Sequence, residues 1–525
     1  MAPHKAGISV KTYTPNTTRE SLLFDTTAGD ALMTMAGGLM SWTMPVGDPW
    51  FAYDPADSIA RSDRVKAWAQ DTTTTARKLL AASTFYTQAH EYLLNLCAFG
   101  TAAMFFGVEE GRTRFEVLAT GSYCIEENKF GEVDTLYREF EYTIEEAAKE
   151  FGEENLPKEL REMLKDDKQR KQKRKFLHAV YPRADDERPD GLGRLAAHGK
   201  KFASCYVELV TKEVVKESGF DVFPYAVSRY LKWAALEGRI AYGYGPGFAA
   251  IPDTRQINFI QMMLDCAAEK AIRPPLITDA AMEGDIVQSP GGITYVNASL
   301  GQDRWPKPLE TVSPANYQTF QERAKMRQDS INSKFHAQLF NMFANLDGIR
   351  TATEINERAA EKIVTITPAF TRLSSEWHTP MLQALFSLWM ENGLLPPPPE
   401  EAVVPVSQFS GMIPMPGLQF TSRLALAINA LSNIGTQRFI QEMAPISAIH
   451  PEVFAAIDFV KLGTGVARSS GMSSEYIKDA DQVQQELAAQ AKAAQQQQQL
   501  MMAEQASKAV GNASGIPAIK EAMGQ

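Results

Sequence analysis

Two long stretches with helical periodicity, about Asp253 to Ile272 and about Pro314 to Phe343, constrain this chain more than any other feature. In the first, Ile257, Ile260, Leu264, Ala268 and Ala271 recur at the spacing that lays one apolar stripe along a helix. Asp253 followed by Gln256 reads as an N-cap and capping box, which gives the first backbone amides the partners a helix start lacks. Pro274-Pro275 stops the run. The second stretch opens Ser313-Pro314, a hydroxyl cap and then proline at the first helical position, where its missing N–H is not needed. Tyr317, Phe320, Ala324, Ile331, Phe335 and Leu339 carry it on without an internal glycine or proline. At 1.5 Å per residue it would run for roughly 45 Å. A Pro/Gly-punctuated insert separates the two, so the pattern predicts an antiparallel hairpin with a small lobe at its end. The polar break Asn345-Leu346-Asp347-Gly348-Ile349-Arg350 follows, and Thr351 with Glu354 forms a further capping box.

Upstream, Leu22, Leu23, Ala31, Leu32, Met35, Leu39 and Met40 predict an amphipathic helix that ends in an aromatic loop with Trp42 and Trp50. From Asp63 to Phe99 a longer helical stretch is expected to break near Thr72–Thr75, because consecutive β-branched residues weaken a helix. Residues Gly100 to Gly107 close it. Phe115–Leu118, Tyr123–Glu126 and Thr135–Phe140 are short, β-rich and divided by turns, which predicts a small antiparallel sheet. Helices at Ile144–Phe151 and Pro157–Leu164 follow, then strands at Phe176–Tyr181, Cys205–Val210 and Lys212–Glu217. The run Lys168–Lys175 is the most basic in the chain and reads as a solvated loop or helix end before a strand. Gly243-Tyr244-Gly245-Pro246-Gly247 lacks the Gly-Lys-Ser/Thr ending of a phosphate loop and reads as a tight connector into the first long helix. After the polar break, a helix from Thr351 to about Asn392 should kink at Pro368 and Pro380 and end at Gly393. Shorter helices are expected at Arg423–Ala444 and Pro451–Leu462. The Gln/Ala-rich stretch Ala480–Ser507 becomes a credible helix where several copies surround one another.

The function classes narrow by exclusion. A net charge of −10 argues against a general nucleic-acid coat, though not against a surface past which DNA must slide. The four cysteines (Cys97, Cys124, Cys205, Cys266) include no CxxC pair and predict reduced thiols. No apolar stretch is long enough to cross a bilayer, so no membrane partner is expected. The seven histidines are scattered singly, and the paired acids such as Glu109-Glu110, Glu145-Glu146 and Asp185-Asp186 diverge on their turns. No Walker A sequence, nucleophile elbow, His-Glu-x-x-His or Rossmann fingerprint is present, so neither an enzyme nor a cofactor is expected.

The order of elements, with Phe223-Pro224-Tyr225, Gly243–Gly247 before the first long helix, Arg350-Thr351-Ala352-Thr353-Glu354-Ile355 after the break and a Gln/Ala/Met-rich tail, resembles the portal proteins (head-to-tail connectors) of short-tailed bacteriophages. The resemblance covers most of the chain. It implies a predominantly helical α+β portal fold, assembled as a ring of about twelve copies around a DNA channel. In that plan residues 1–250 form an α/β wing, 251–273 the first stem helix, 274–312 the clip and 313–343 the second stem helix. Residues 344–352 would be the tunnel loop, 353–399 a long kinked wing helix, and 400–525 a crown with a possible C-terminal helical barrel.

The implied partners are double-stranded DNA, the terminase large subunit, tail adaptor proteins, the major capsid and scaffold proteins and internal core proteins. The implied location is the portal vertex of the virion, and the host cytoplasm during assembly. Asn345, Asp347, Gly348 and Arg350 are then tunnel-loop candidates, and Arg273, Asp279, Glu283 and Asp285 candidates for docking terminase or adaptor. Arg323, Lys325, Arg327 and Lys334 either form a basic band in the channel or pair across subunits with Glu322, Asp329 or acids of the first helix. The competing functions are a nucleic-acid-processing enzyme and a cytosolic helical scaffold or adaptor without DNA.

Overall fold

The computed structural model describes residues 23–55, 62–184, 199–232, 241–272, 274, 276–277, 307–308, 314–344, 366–407, 410–412, 415–426, 439, 459–469 and scattered positions between 483 and 503. Among these the chain is a mixture of helices and antiparallel sheets, divided into two compact units. One comprises Met1–Asp48 with Thr75–Leu395, the other Pro49–Thr74 with Pro396–Gln525.

The chain begins with α1 (Thr27–Thr43), β1 (Phe51–Asp54), α2 (Asp63–Ala82) and α3 (Phe85–Phe99). The expected break at Thr72–Thr75 does not occur; α2 runs through it and the helices part at Ser83-Thr84 instead. Local bonding overrides the weak propensity: the Thr73 and Thr74 hydroxyls donate back to the Ala69 and Gln70 carbonyls, and Thr73 also accepts the Tyr53 amide. At the actual break, the Ser83 hydroxyl caps the next helix by accepting the Phe85 amide.

Next come β2 (Thr101–Glu109), β3 (Arg112–Val117), β4 (Tyr123–Glu127) and β5 (Val133–Thr143), then α4 (Ile144–Phe151) and α5 (Lys158–Leu164). Strands β6 (Lys173–Pro182), β7 (Phe202–Glu208), β8 (Val214–Phe220) and β9 (Tyr225–Arg229) complete the strand-rich part. They form two antiparallel sheets rather than the one small sheet expected, in the orders β3-β2-β9 and β4-β5-β6-β7-β8. Residues 101–109, read as merely closing a helix, are the central strand of the first sheet. Leu118, Tyr123, Ile125, Leu136, Val180, Tyr225 and Val227 pack between the sheets. Ile144, Phe151, Leu160, Phe176 and Val215 seat α4 and α5 on the larger one. The basic run 168–175 leads into β6, and its charges meet neighbouring acids, Arg174 on Glu159 at 2.6 Å and Lys175 on Glu139 at 2.7 Å.

A two-strand ladder, β10 (Leu231–Lys232) with β11 (Gly243–Tyr244), precedes α6 (Pro246–Ile272). The second short ladder, β12 (Leu276–Ile277) with β13 (Lys307–Pro308), joins the ends of the insert, and α7 (Pro314–Lys334) and α8 (Ala337–Ala344) follow. The hairpin is therefore present, but its return arm is two helices. Phe335 and His336 break it, with His336 at φ 51°. The turn redirects α8 so that Leu339 and Phe340 are buried beside α1, where Gly38 leaves room that a methyl group would fill: its Cβ would lie 2.2 Å from the Phe340 ring. Burial of these side chains, together worth several kcal/mol, outweighs one left-handed residue.

A helix at 366–373 (α9) continues through a π-turn at Ser374–His378 into α10 (Thr379–Glu391). The expected kink at Pro380 is thus absorbed as a widened turn, one of the ways a helix accommodates proline. Gly393, at φ 66°, ends α10 as expected. Trp377 packs at a tilt against Tyr92 of α3 with ring centroids 4.1 Å apart, and the Tyr92 hydroxyl donates to Ser228 of β9 at 2.7 Å. In the second unit, β14 (Val404–Ser407) pairs with β15 (Ser410–Met412), and β16 (Gly417–Phe420) pairs with β1 over buried Trp50 and Phe51. Residues 423–426 (α11) are helical, and α12 spans Phe459–Ser469, overlapping the end of the predicted Pro451–Leu462, whose first eight residues lie outside the described ones. The described positions between 483 and 503 are helical and mostly exposed.

The glycine-rich connector has a steric explanation. It lies backbone to backbone on the end of α3, where Gly100 sits at φ 73°; a Cβ on Gly243 would fall 2.2 Å from the Gly100 carbonyl oxygen and 2.8 Å from Arg229 Cβ. Gly243→Ala is expected to destabilise the first unit by about 1–3 kcal/mol, whereas Gly37→Ala, in helix α1 with open space and no left-handed φ, should cost nothing or stabilise slightly; urea unfolding of both variants measures the difference.

Candidate functional site

Asp253 does not cap a helix. Helix α6 starts at Pro246 and contains Pro252, so Asp253 lies in its third turn, buried, with its carboxylate aimed at α7. Arg327, Ser330 and Lys334 repeat at the spacing of one helical face and converge on it. Arg327 Nη1 donates to Oδ1 at 2.9 Å, Ser330 Oγ to Oδ2 at 2.8 Å, and Lys334 Nζ to Oδ2. Lys334, then Ser330 and Arg327, hold this carboxyl below the usual aspartate range against the opposing effect of burial. One acid thus clamps the two arms of the hairpin. At its base, the Phe24 amide donates to Asn258 Oδ1 at 2.7 Å and Gln328 Nε2 to Asp25 Oδ2 at 3.2 Å, so the segment before α1 contacts both arms.

The second centre is Arg229 at the end of β9, whose side chain is only 2% exposed. Glu376, in the π-turn, accepts from its Nη2 at 2.7 Å, its Nε at 3.1 Å and its backbone amide at 2.8 Å. Glu127 of β4 accepts from Nη1 and also from Lys232 Nζ at 2.6 Å. The Gly131 and Ala241 carbonyls accept the remaining donors at 3.1 and 3.3 Å. Burial works against the guanidinium charge, but Glu376 and Glu127 outweigh it and raise its affinity for the proton. This cation joins the first sheet, the β4–β5 turn, the connector into α6 and the helix leading to α10.

The family model for bacteriophage head to tail connecting protein matches residues 1–477. The chain belongs to that family. The connector is 29% identical over 477 residues to the probable portal protein of Bordetella phage BPP-1, across 89% of this chain and 81% of the relative. It is 25% identical over 523 residues to the portal protein of Salmonella phage epsilon15, across 95% and 90%. A chain from the virion of a native gene transfer agent particle aligns over 79% of the connector and 95% of its own length, but at 12% identity and a TM-score of 0.27 it carries no argument.

The four basic residues proposed for the hairpin divide. Arg327 and Lys334 are committed to Asp253, an acid of the first helix in the same chain, where the expected pairing was across subunits. Arg323 and Lys325 are exposed. The tunnel-loop residues Asn345, Asp347, Gly348 and Arg350, the docking residues Arg273, Asp279, Glu283 and Asp285, and the Thr351/Glu354 capping box lie outside the described residues. Among the described residues no cluster of three metal-capable side chains occurs, and no helix is long and apolar enough to cross a membrane. His178 is buried between Ser204 and Tyr225, its pKa pushed down to about 3 by burial. The sequence reading gave Arg229 no role. A lone arginine in the buried strand Tyr225–Arg229 was the available signal, because such a cation requires acids from elsewhere.

Two outcomes follow for the clamps. Asp253→Asn should cost roughly 1–3 kcal/mol, a value reduced by the partial exposure of Arg327 and Lys334. Because the folded pKa of Asp253 lies below its unfolded value, its contribution is present above the ordinary aspartate range and is lost as pH falls through the folded value. Stability curves against pH should therefore converge for wild type and Asp253→Asn in acid and separate towards neutrality. Arg229→Met, which leaves Glu127 only Lys232 and Glu376 only Arg372 in place of the shared buried guanidinium, should cost about 3–5 kcal/mol by denaturant titration.

Proposed function

We propose that this chain is the portal subunit of a short-tailed phage, forming a ring of about twelve copies at one capsid vertex through which double-stranded DNA enters and leaves. The observation that carries this reading is the family match over residues 1–477 on a chain whose centre is a clamped antiparallel hairpin with an insert at its far end. In this reading the wing comprises residues 1–250 and 353–399. Residues 251–273 and 313–343 are the stem, 274–312 the clip, 344–352 the tunnel loop and 400–525 the crown. Terminase and then tail adaptors dock on the clip through Arg273, Asp279, Glu283 and Asp285, while capsid, scaffold and internal core proteins meet the wing and crown. The role is structural, with the packaging motor supplied by the terminase.

The electrostatics favour sliding over gripping. Duplex DNA carries one charge per ~1.7 Å of axis, so a densely basic channel would hold it. The chain is acidic overall, and Asp253 bonds two of the four hairpin cations, offsetting one of their two positive charges. Arg323 and Lys325 remain as exposed lumen candidates, together with the tunnel-loop residues Asn345, Asp347, Gly348 and Arg350. Gly348 gives that loop conformational freedom.

Deletion of Asn345–Arg350 should leave rings visible by negative-stain microscopy while packaged DNA is lost or leaks. Unchanged packaging and retention would contradict the assignment of the loop. A monomer with nuclease or ATPase activity would favour the processing-enzyme alternative.

A further inference from the structure

The two broad faces of the α6–α7 hairpin carry opposite chemistry. On one, Arg255, Gln256, Phe259 and Ile260 of α6 and Phe320, Arg323, Met326 and Arg327 of α7 line a groove of about 670 Å³. Phe259, Phe320 and Met326 are 58%, 43% and 69% exposed there, and Met263 continues the stripe one turn beyond Phe259 at 40%. Three large exposed apolar side chains beside three exposed arginines, of which Arg327 is bonded to Asp253, are unusual for a free surface; Phe, Met and Arg are the types enriched where proteins meet. No acid lines this groove.

The opposite face is marked by Asn258 and Gln328, which bond the segment before α1. Asp265 and Glu269, both exposed, lie on the same side of α6 as Asn258, seven and eleven residues on, which is two and three helical turns. Gln261 Nε2 donates to Asp265 Oδ1 at 3.2 Å, along the same stripe. The hairpin therefore presents an apolar, basic face and, across its thickness, an acidic face.

We propose that these two faces form the seam between neighbouring copies, the groove of one receiving the Asp265/Glu269 side of the next. Opposite charge on opposite faces of one element fits a heterologous, head-to-tail contact, the kind that closes into a ring. The occupant is a second copy of this chain because the complementary charges are its own. The inference rests on the ring reading above and specifies its interface. It also assigns Arg323 to the seam, leaving Lys325, of the two exposed candidates on α7, available to the channel.

Charge reversal tests this with the full-length protein. Arg255→Glu/Arg323→Glu makes both faces acidic, and Asp265→Lys/Glu269→Lys makes both basic. All four side chains are exposed, and the Asp253 clamp is untouched, so circular dichroism should confirm that both variants fold. Each alone should lose rings by negative-stain microscopy and run as a monomer. Mixed in equal amounts, they should recover rings, with the two variants alternating and every contact joining an acidic to a basic face. Wild-type rings together with rings from each variant alone, or no recovery on mixing, would overturn the seam while leaving the portal reading intact. Intact rings of the Arg255/Arg323 variant that fail to retain DNA would show that the groove faces nucleic acid instead. Wild-type protein that forms no rings would overturn both.

Discussion

A guanidinium buried to 2% exposure cannot be left without acids, and Arg229 draws its acids from two distant parts of the chain. An uncompensated ion in this setting would cost several kcal/mol, which is comparable with a large share of a domain's total stability. Glu127 and Glu376 must therefore arrive together, and they bring the β4–β5 turn and the π-turn with them. The Ala241 carbonyl adds the connector, which then runs against Gly100 with no room for a side chain and enters α6 directly. The direction in which α6 leaves the sheets is set here. The widened turn before α10 is explained as well, since it places Glu376 on Arg229 while Trp377 reaches the core against Tyr92.

From that starting point the hairpin is held by a second, less deeply buried ionic centre. Asp253 accepts from three side chains of α7, so the arms are tied in register and not merely packed. The same carboxylate offsets one of the two positive charges that Arg327 and Lys334 bring to the hairpin. Under the proposed function, the clamp ties the two stem helices together and its carboxylate lowers the positive charge that passing DNA would meet.

Elements governed by local pattern were legible in the sequence. The helices α1, α4 and α5, the strands β3 to β8 and the Gly393 stop stand close to where periodicity and turn residues put them. Readings failed where a distant partner decides. Residues 101–109 look like a helix terminus until β9 supplies their second edge. Thr72–Thr75 looks like a helix breaker until the threonine hydroxyls find carbonyl partners and Tyr53 approaches. Asp253 has the spacing of a capping box to Gln256, and nothing local shows that its real partners lie on the return arm. The break at His336 has no glycine or proline to announce it; burial of Leu339 and Phe340 beyond it is the cause. Arg229 was the largest omission, because its acids are 102 and 147 residues away.

The central claim is that the clamped hairpin is the stem of a closed assembly. Native mass measurement of the purified full-length protein tests it most directly. The account predicts one dominant species at about twelve times the 58.1 kDa chain. A species at 58.1 kDa alone, stable across concentration, would contradict it.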